Sequence, residues 1–244
     1  MWTREELKLR GKQAFKRNYW SAVLVALVMA VVTGAFGQVG SQTGSQNGNQ
    51  TSLDSFVFGG NNTQVIALTT FALVAAAIFA IAAVVILVLK IVIGNALLVG
   101  GYRFFITNQT ETPTAGLLAY GFKSGNLGNI ILTMFLRDLY IVLWSFLFII
   151  PGIVKSYEYL MVPYILAENP GMDRKEAFLI SKQMMMGQKW NVFVLDMSFL
   201  GWRILEAITF GIVGVFYVEP YYQATMAELY AANRAMAYQN GFIR

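Results

Sequence analysis

The apolar positions of this chain fall into long runs separated by short polar stretches, and the lengths of those runs set the expected architecture. The most informative stretch is 128–168, where one apolar segment from Asn129 to Ile150 meets another from Ile153 to Leu166 at Pro151-Gly152. Proline cannot continue a backbone ladder and glycine permits reversal, so the pair predicts a turn between two helices. The first leg reaches the roughly 20 helical residues that cross a hydrocarbon layer, and the return leg is short, expected to start shallow or tilt, so the segment reads as a transmembrane hairpin.

The other runs follow the same logic. Residues 19–36 form a first span that opens on Tyr19 and Trp20, as an aromatic belt would. Residues 65–105 are apolar for far longer than one crossing needs; a single long helix is expected there, with a span plus an interfacial helix as the alternative. Residues 191–234 form a final hairpin, from Asn191 to Thr209 and from Ile212 to Ala232, with Pro220 predicted to kink its second leg. The pattern is that of an all-α polytopic bundle of about six transmembrane helices with amphipathic interfacial helices.

Two amphipathic stretches flank the spans. In 1–18, Thr3 and Glu6 have the spacing of a capping box. Leu7, Gly11, Ala14 and Phe15 share one helical face, while Lys8, Arg10, Lys12, Lys16 and Arg17 cover the rest, predicting a basic helix in the cytoplasmic interface. In 169–190, Asp173 and Glu176 open a helix that ends at Gly187. Its basic residues keep it cytoplasmic, and Met184 to Met186 are expected to pack rather than bind. Ser181 beside Lys182 is no catalytic dyad, since adjacent helical residues point apart. The remaining segments are a polar external loop at 37–64, a cytoplasmic connection at 106–127 with a short helix near 115–122, and a cytoplasmic tail at 235–244. The loop's glycosylation-like triplets at Asn49 and Asn61 are assigned no role.

Composition sharpens this picture. The 244 residues are 57% hydrophobic and 13% charged, about half the charge of a soluble domain, with a mean hydropathy of +0.55. The first apolar run is expected to stay as an anchor rather than be cleaved as a signal. Cysteine and histidine are both absent, which removes disulfides, thiolate or imidazole metal sites, Cys nucleophiles and His bases. No cofactor and no enzymatic activity are expected. The net charge of +5 comes from residues beside apolar runs, so the expected partner is a bilayer with anionic headgroups, not nucleic acid. The same distribution predicts both termini on the cytoplasmic side of the cell membrane.

Ionisable residues inside spans are costly, so they are the default functional candidates: Lys90, Arg137, Asp138, Glu158, Asp196, Arg203, Glu206 and Glu219. Counting helical rise, Arg203 and Glu219 both lie about 10 Å from the outer turn, as does Glu158 from Pro151. This predicts an ion pair of Arg203 with Glu219 or Glu158. A second polar contact is predicted among Arg137, Asp138 and Lys90. Such pairs either hold helices in register or mark a proton or substrate path. Gly94, Gly101 and Gly211 are expected to admit close helix packing.

The segments FIIPGIVKSYEYLMVPYILAENP, EAFLISKQMMMGQKW, FVLDMSFLGWRIL and EPYYQATMAELY resemble a bacterial family of uncharacterised integral membrane proteins, domain of unknown function 975, over Phe148 to Tyr230. A weaker similarity is to the membrane domain of some glycerophosphodiester phosphodiesterases. The resemblance implies a multi-pass membrane protein without an agreed activity. Two roles are expected: a non-enzymatic accessory of the envelope, stress response or export that works with a membrane protein partner or as a homo-oligomer, or a small transporter using the intramembrane charges.

Overall fold

The computed structural model describes residues 2–33 and 62–241, and every regular element among them is helical. The end of the first span, the loop up to residue 61 with Asn49 and Asn61, and the last three residues lie outside the described residues.

Helix α1, Arg4–Arg17, starts where the Thr3 hydroxyl accepts the Glu6 backbone N–H, and it buries Leu7, Gly11, Ala14 and Phe15. The buried face is the one its periodicity marks, but protein covers it. It lies along α11, Glu219–Gln239, where a Cβ on Gly11 would stand 2.8 Å from the Thr225 backbone and the Trp2 indole donates to Asn233 Oδ1 at 3.0 Å. The expected interfacial helix therefore spends its apolar face on the fold and turns its cations outward.

Helix α2, Tyr19–Thr33, leaves α1 at 106°. Buried Asn108 holds the corner: its amide donates to the Ala14 carbonyl at 2.9 Å, and its Oδ1 accepts from Asn18 at 3.1 Å. Helix α3, Asn62–Thr107, is one continuous helix of 46 residues. Its last turns approach α2 and a 3-10 turn, Ala115–Ala119, through glycine. A Cβ on Gly101 would meet Met29 Sδ at 2.4 Å, and one on Gly100 the Leu118 carbonyl oxygen at 2.1 Å. A short α4, Tyr120–Lys123, completes that connection.

The central hairpin pairs α5, Leu127–Leu147, with α6, Ile149–Glu158, and α7, Val162–Glu168. The reversal falls at extended Phe148, not at the expected Pro151-Gly152. Pro151 instead sits in the first turn of α6, where a missing N–H costs nothing, and Gly152 lets the Ser145 backbone approach to 2.7 Å of where a Cβ would be. Helix α8, Arg174–Met184, begins with the Asp173 carboxylate accepting the Lys175 N–H at 3.0 Å; the chain then turns through left-handed Gly187.

The final hairpin departs further from expectation. Its ascending leg is two helices, α9, Lys189–Met197, and α10, Leu200–Ile208. Gly211, expected at a close contact, instead takes a φ of +85° in the turn above α10. In the descending leg a π-turn, Gly214–Val218, precedes Pro220, which sits in the first turn of α11. The extra residue of a π-turn absorbs the ring without breaking the helix.

Among the described residues two helices are long and apolar enough to cross a membrane, Thr70–Thr107 and Leu127–Leu147, or three if the bent α1–α2 pair is one span. Among the described residues the expected six spans are not all found as continuous helices; breaks at Tyr159–Met161 and Ser198–Phe199 shorten the other legs. The buried core, including Phe15, Met29, Phe104, Met134, Leu166 and Phe199, joins α1, α2, the end of α3, α5, α7 and α11. Large apolar side chains lie exposed along the first part of α3 and at the two hairpin turns, around Phe148 and Phe210.

Candidate functional site

Glu158, Lys189 and Asp196 come together where α6, α8, α9 and α11 meet, and of these Glu158 alone is buried. Glu158, 4% exposed, ends α6 with both carboxylate oxygens engaged: Lys155 donates to one and Lys189 to the other, each at 2.8 Å. Lys155 comes from the preceding turn and Lys189 from the start of α9. The second contact ties two elements distant in sequence.

The break between α6 and α7 is closed by buried Ser181 of α8. Its hydroxyl donates to the Glu158 carbonyl at 2.8 Å and accepts the Met161 N–H at 3.2 Å. A helix break leaves backbone groups unpaired, and one hydroxyl here satisfies a donor and an acceptor. Ser181 thus has a structural bond on each side, and its neighbour Lys182 takes no part in it.

Asp196 lies two turns beyond Lys189 on the same face of α9. Tyr157 donates to one of its oxygens at 2.7 Å and Tyr222 to the other at 3.0 Å. Arg203 does not form the expected pair with Glu219 or Glu158. Its guanidinium lies 5.3 Å from the Tyr222 ring centroid, so its charge meets an aromatic face and, beyond it, the Asp196 carboxylate. Glu219 accepts from Gln223 one turn along α11, at 2.8 Å. Glu206 packs against Gly214, where a Cβ would come within 2.3 Å of its carboxylate oxygen. Glu206 and Glu219 line a space of only about 10 Å³, at the lower limit for a single water.

The second expected contact also differs. Arg137 binds its sequence neighbour Asp138, at 2.6 and 2.9 Å, while Lys90 is exposed on α3 and joins neither. Depth along a helix was the only coordinate behind both expectations, and it says nothing of the direction a side chain takes around the axis.

Several participants carry no intramembrane-charge signal in the sequence. Lys155 and Lys189 read as turn and cytoplasmic cations. Glu168 reads as the end of a leg, yet it binds Arg234 and accepts from Tyr230 at 2.6 Å. The Tyr230 ring stacks on Tyr164, 5.3 Å between centroids, and Tyr164 packs on Tyr102 at 4.5 Å. The i,i+3 spacing of Lys155 and Glu158 was the one legible clue. At the foot of α1, Lys8 donates to the Ser198 carbonyl at 3.1 Å; burial, then the neighbouring Arg4 charge, lowers its pKa. Among the described residues no group of three or more acidic, His or Cys side chains is placed to hold a metal ion.

The architecture and these pairings define an all-helical protein with span-length apolar helices and a buried carboxylate, Glu158, held by two lysines. Residues 146–236 match the family described as protein of unknown function, DUF975, which supports the assignment made from the four motifs. That segment contains Glu158, Lys189, Asp196, Arg203, Glu206 and Glu219, and it excludes Lys90, Arg137 and Asp138. No curated protein and no solved structure matches the chain, so the weaker similarity to a phosphodiesterase membrane domain gains no support.

Proposed function

We propose that the protein is a non-enzymatic accessory of the bacterial cell envelope, stress response or export, built as a multi-pass scaffold whose buried charges hold helices in register. In this reading α2, α3 and α5 cross the bilayer as continuous helices. The crossings are completed by α6 with α7, by α9 with α10, and by the π-turn with α11, which returns both termini to the cytoplasm. Broken helices are tolerated at membrane depth where protein satisfies the freed groups, as Ser181 does.

The observation that carries the reading is Glu158, whose two oxygens are each taken by a lysine from a different element. A carboxylate on a transport path must exchange partners, whereas one bound on both sides in a closed interior fixes geometry. The test is a charge exchange. Lys189→Glu alone should lower the melting temperature of the purified protein, and adding Glu158→Lys should restore part of it. Proteoliposomes carrying a pH-sensitive dye should show no proton flux above empty vesicles. Flux that disappears in a folded Asp196→Asn variant would overturn the scaffold in favour of a transporter.

A further inference from the structure

Trp190 stands between two depressions. On one side a cleft of about 450 Å³ is lined by Trp2, Thr3, Arg4, Trp190, Asn191 and Val194. On the other an apolar groove of about 340 Å³ runs between α6 and α9, along Ile153, Val154, Tyr157, Lys189, Trp190 and Phe193. Trp190 is 72% exposed and walls both spaces, stacking on Phe193 of the groove at 5.3 Å between centroids.

The two spaces differ in chemistry. No carboxylate lines the cleft, and its one charged residue, Arg4, makes no ion pair with a described residue. Lys8, one turn further along α1, adds a second cation close to Arg4. The groove is apolar apart from the Tyr157 hydroxyl and the Lys189 ammonium, and these are already bound to Asp196 and Glu158. A cleft whose one lining charge is a cation, next to a hydrocarbon-like groove, is complementary to an amphiphile with an anionic head. Tryptophans are enriched at headgroup level, where their rings bridge the two media.

We propose that these two depressions bind one anionic phospholipid of the cytoplasmic leaflet. Its phosphate faces Arg4 and Asn191 between the two tryptophans, and an acyl chain lies in the groove against Ile153, Val154 and Phe193.

The test is native mass spectrometry of the full-length protein from micelles holding equal phosphatidylglycerol and phosphatidylcholine. One phosphatidylglycerol should be retained in preference to phosphatidylcholine. Arg4→Gln, a change at an exposed position, should weaken retention about fivefold, the effect of one surface cation on an anionic lipid, and Arg4→Lys should preserve it. Lys16→Gln should leave retention unchanged, and Trp190→Ala should release lipid of either head. Circular dichroism checks that each variant keeps its helices. Equal losses in Arg4→Gln and Lys16→Gln would overturn the site in favour of diffuse surface charge. So would equal retention of both lipids, or displacement by glycerol 3-phosphate at the lipid's concentration, which would mark a site for soluble phosphate.

Discussion

Helix α3 is two helices by environment and one by backbone. From Thr70 to Leu89 it is apolar on all sides, and its most hydrophobic window has none of its residues buried by the protein. From Gly94 to Thr107 it is much less apolar, carrying Asn95, Arg103 and three glycines, and Ala96, Val99, Phe104 and Phe105 are buried against α2, α7 and the 3-10 turn. Hydropathy separates these halves, and so does glycine. Gly94, Gly100 and Gly101 bring another backbone or side chain to the axis, whereas residues 70–93 contain no glycine and leave large side chains such as Phe71, Ile78 and Ile81 exposed. Within hydrocarbon, association comes from close packing rather than from expulsion of water, so small residues mark protein contacts and large ones mark lipid.

The halves also differ in reach. At 46 residues the helix is about 70 Å long, roughly twice the thickness of a hydrocarbon core. Helix α2 pairs only with its second half, where Val32 lies against Gly94.

The strongest way to break the comparison is to add bulk to each half. Gly100→Leu should drive a side chain into the Leu118 carbonyl and cost about 3 kcal/mol, the upper end for overpacking. Ala76→Leu in the free half should leave the unfolding midpoint in detergent unchanged. Equal losses would mean that the first half is also packed.

Next in size is Glu158→Ala, which leaves Lys155 and Lys189 without their carboxylate. Both lysines are partly exposed, so the expected loss is about 2 kcal/mol, below that of a fully buried pair. It is read by chemical denaturation in micelles. Changing Asp138, whose side chain is 51% exposed, should cost much less.

Asn108→Ala should follow closely, at about 1–2 kcal/mol for the bonds to Ala14 and Asn18. Hydrogen exchange at the α1–α2 corner should accelerate, while α5 stays protected. The smallest effect belongs to the hairpin tip: Phe146→Leu should shift stability by less than about 0.5 kcal/mol, because its side chain is 85% exposed, and a larger shift would mean that the tip has a protein partner.

Much of the fold was legible because it is local. Periodicity marks the face of α1 that becomes buried, Thr3 and Asp173 cap the helices they precede, and Gly187 ends the turn after α8. Each depends on neighbours within a turn or two, so the chain order carries it. The reversal at Phe148 was misplaced by three residues because Pro-Gly is read as a helix end, while proline is equally suited to a helix start.

The sequence by itself determined that this is a helical chain with hydrocarbon-compatible segments, a cationic first helix and acids held at interior depth. Only the tertiary structure decided which group answers which charge. Glu158 takes Lys155 and Lys189, Asp196 takes Tyr157 and Tyr222, and Arg203 rests on an aromatic ring instead of a carboxylate. Rise per residue gives a side chain's height, but partnership also needs its angle around the helix and the crossing of the neighbouring axis. Those two quantities arise only when the helices pack.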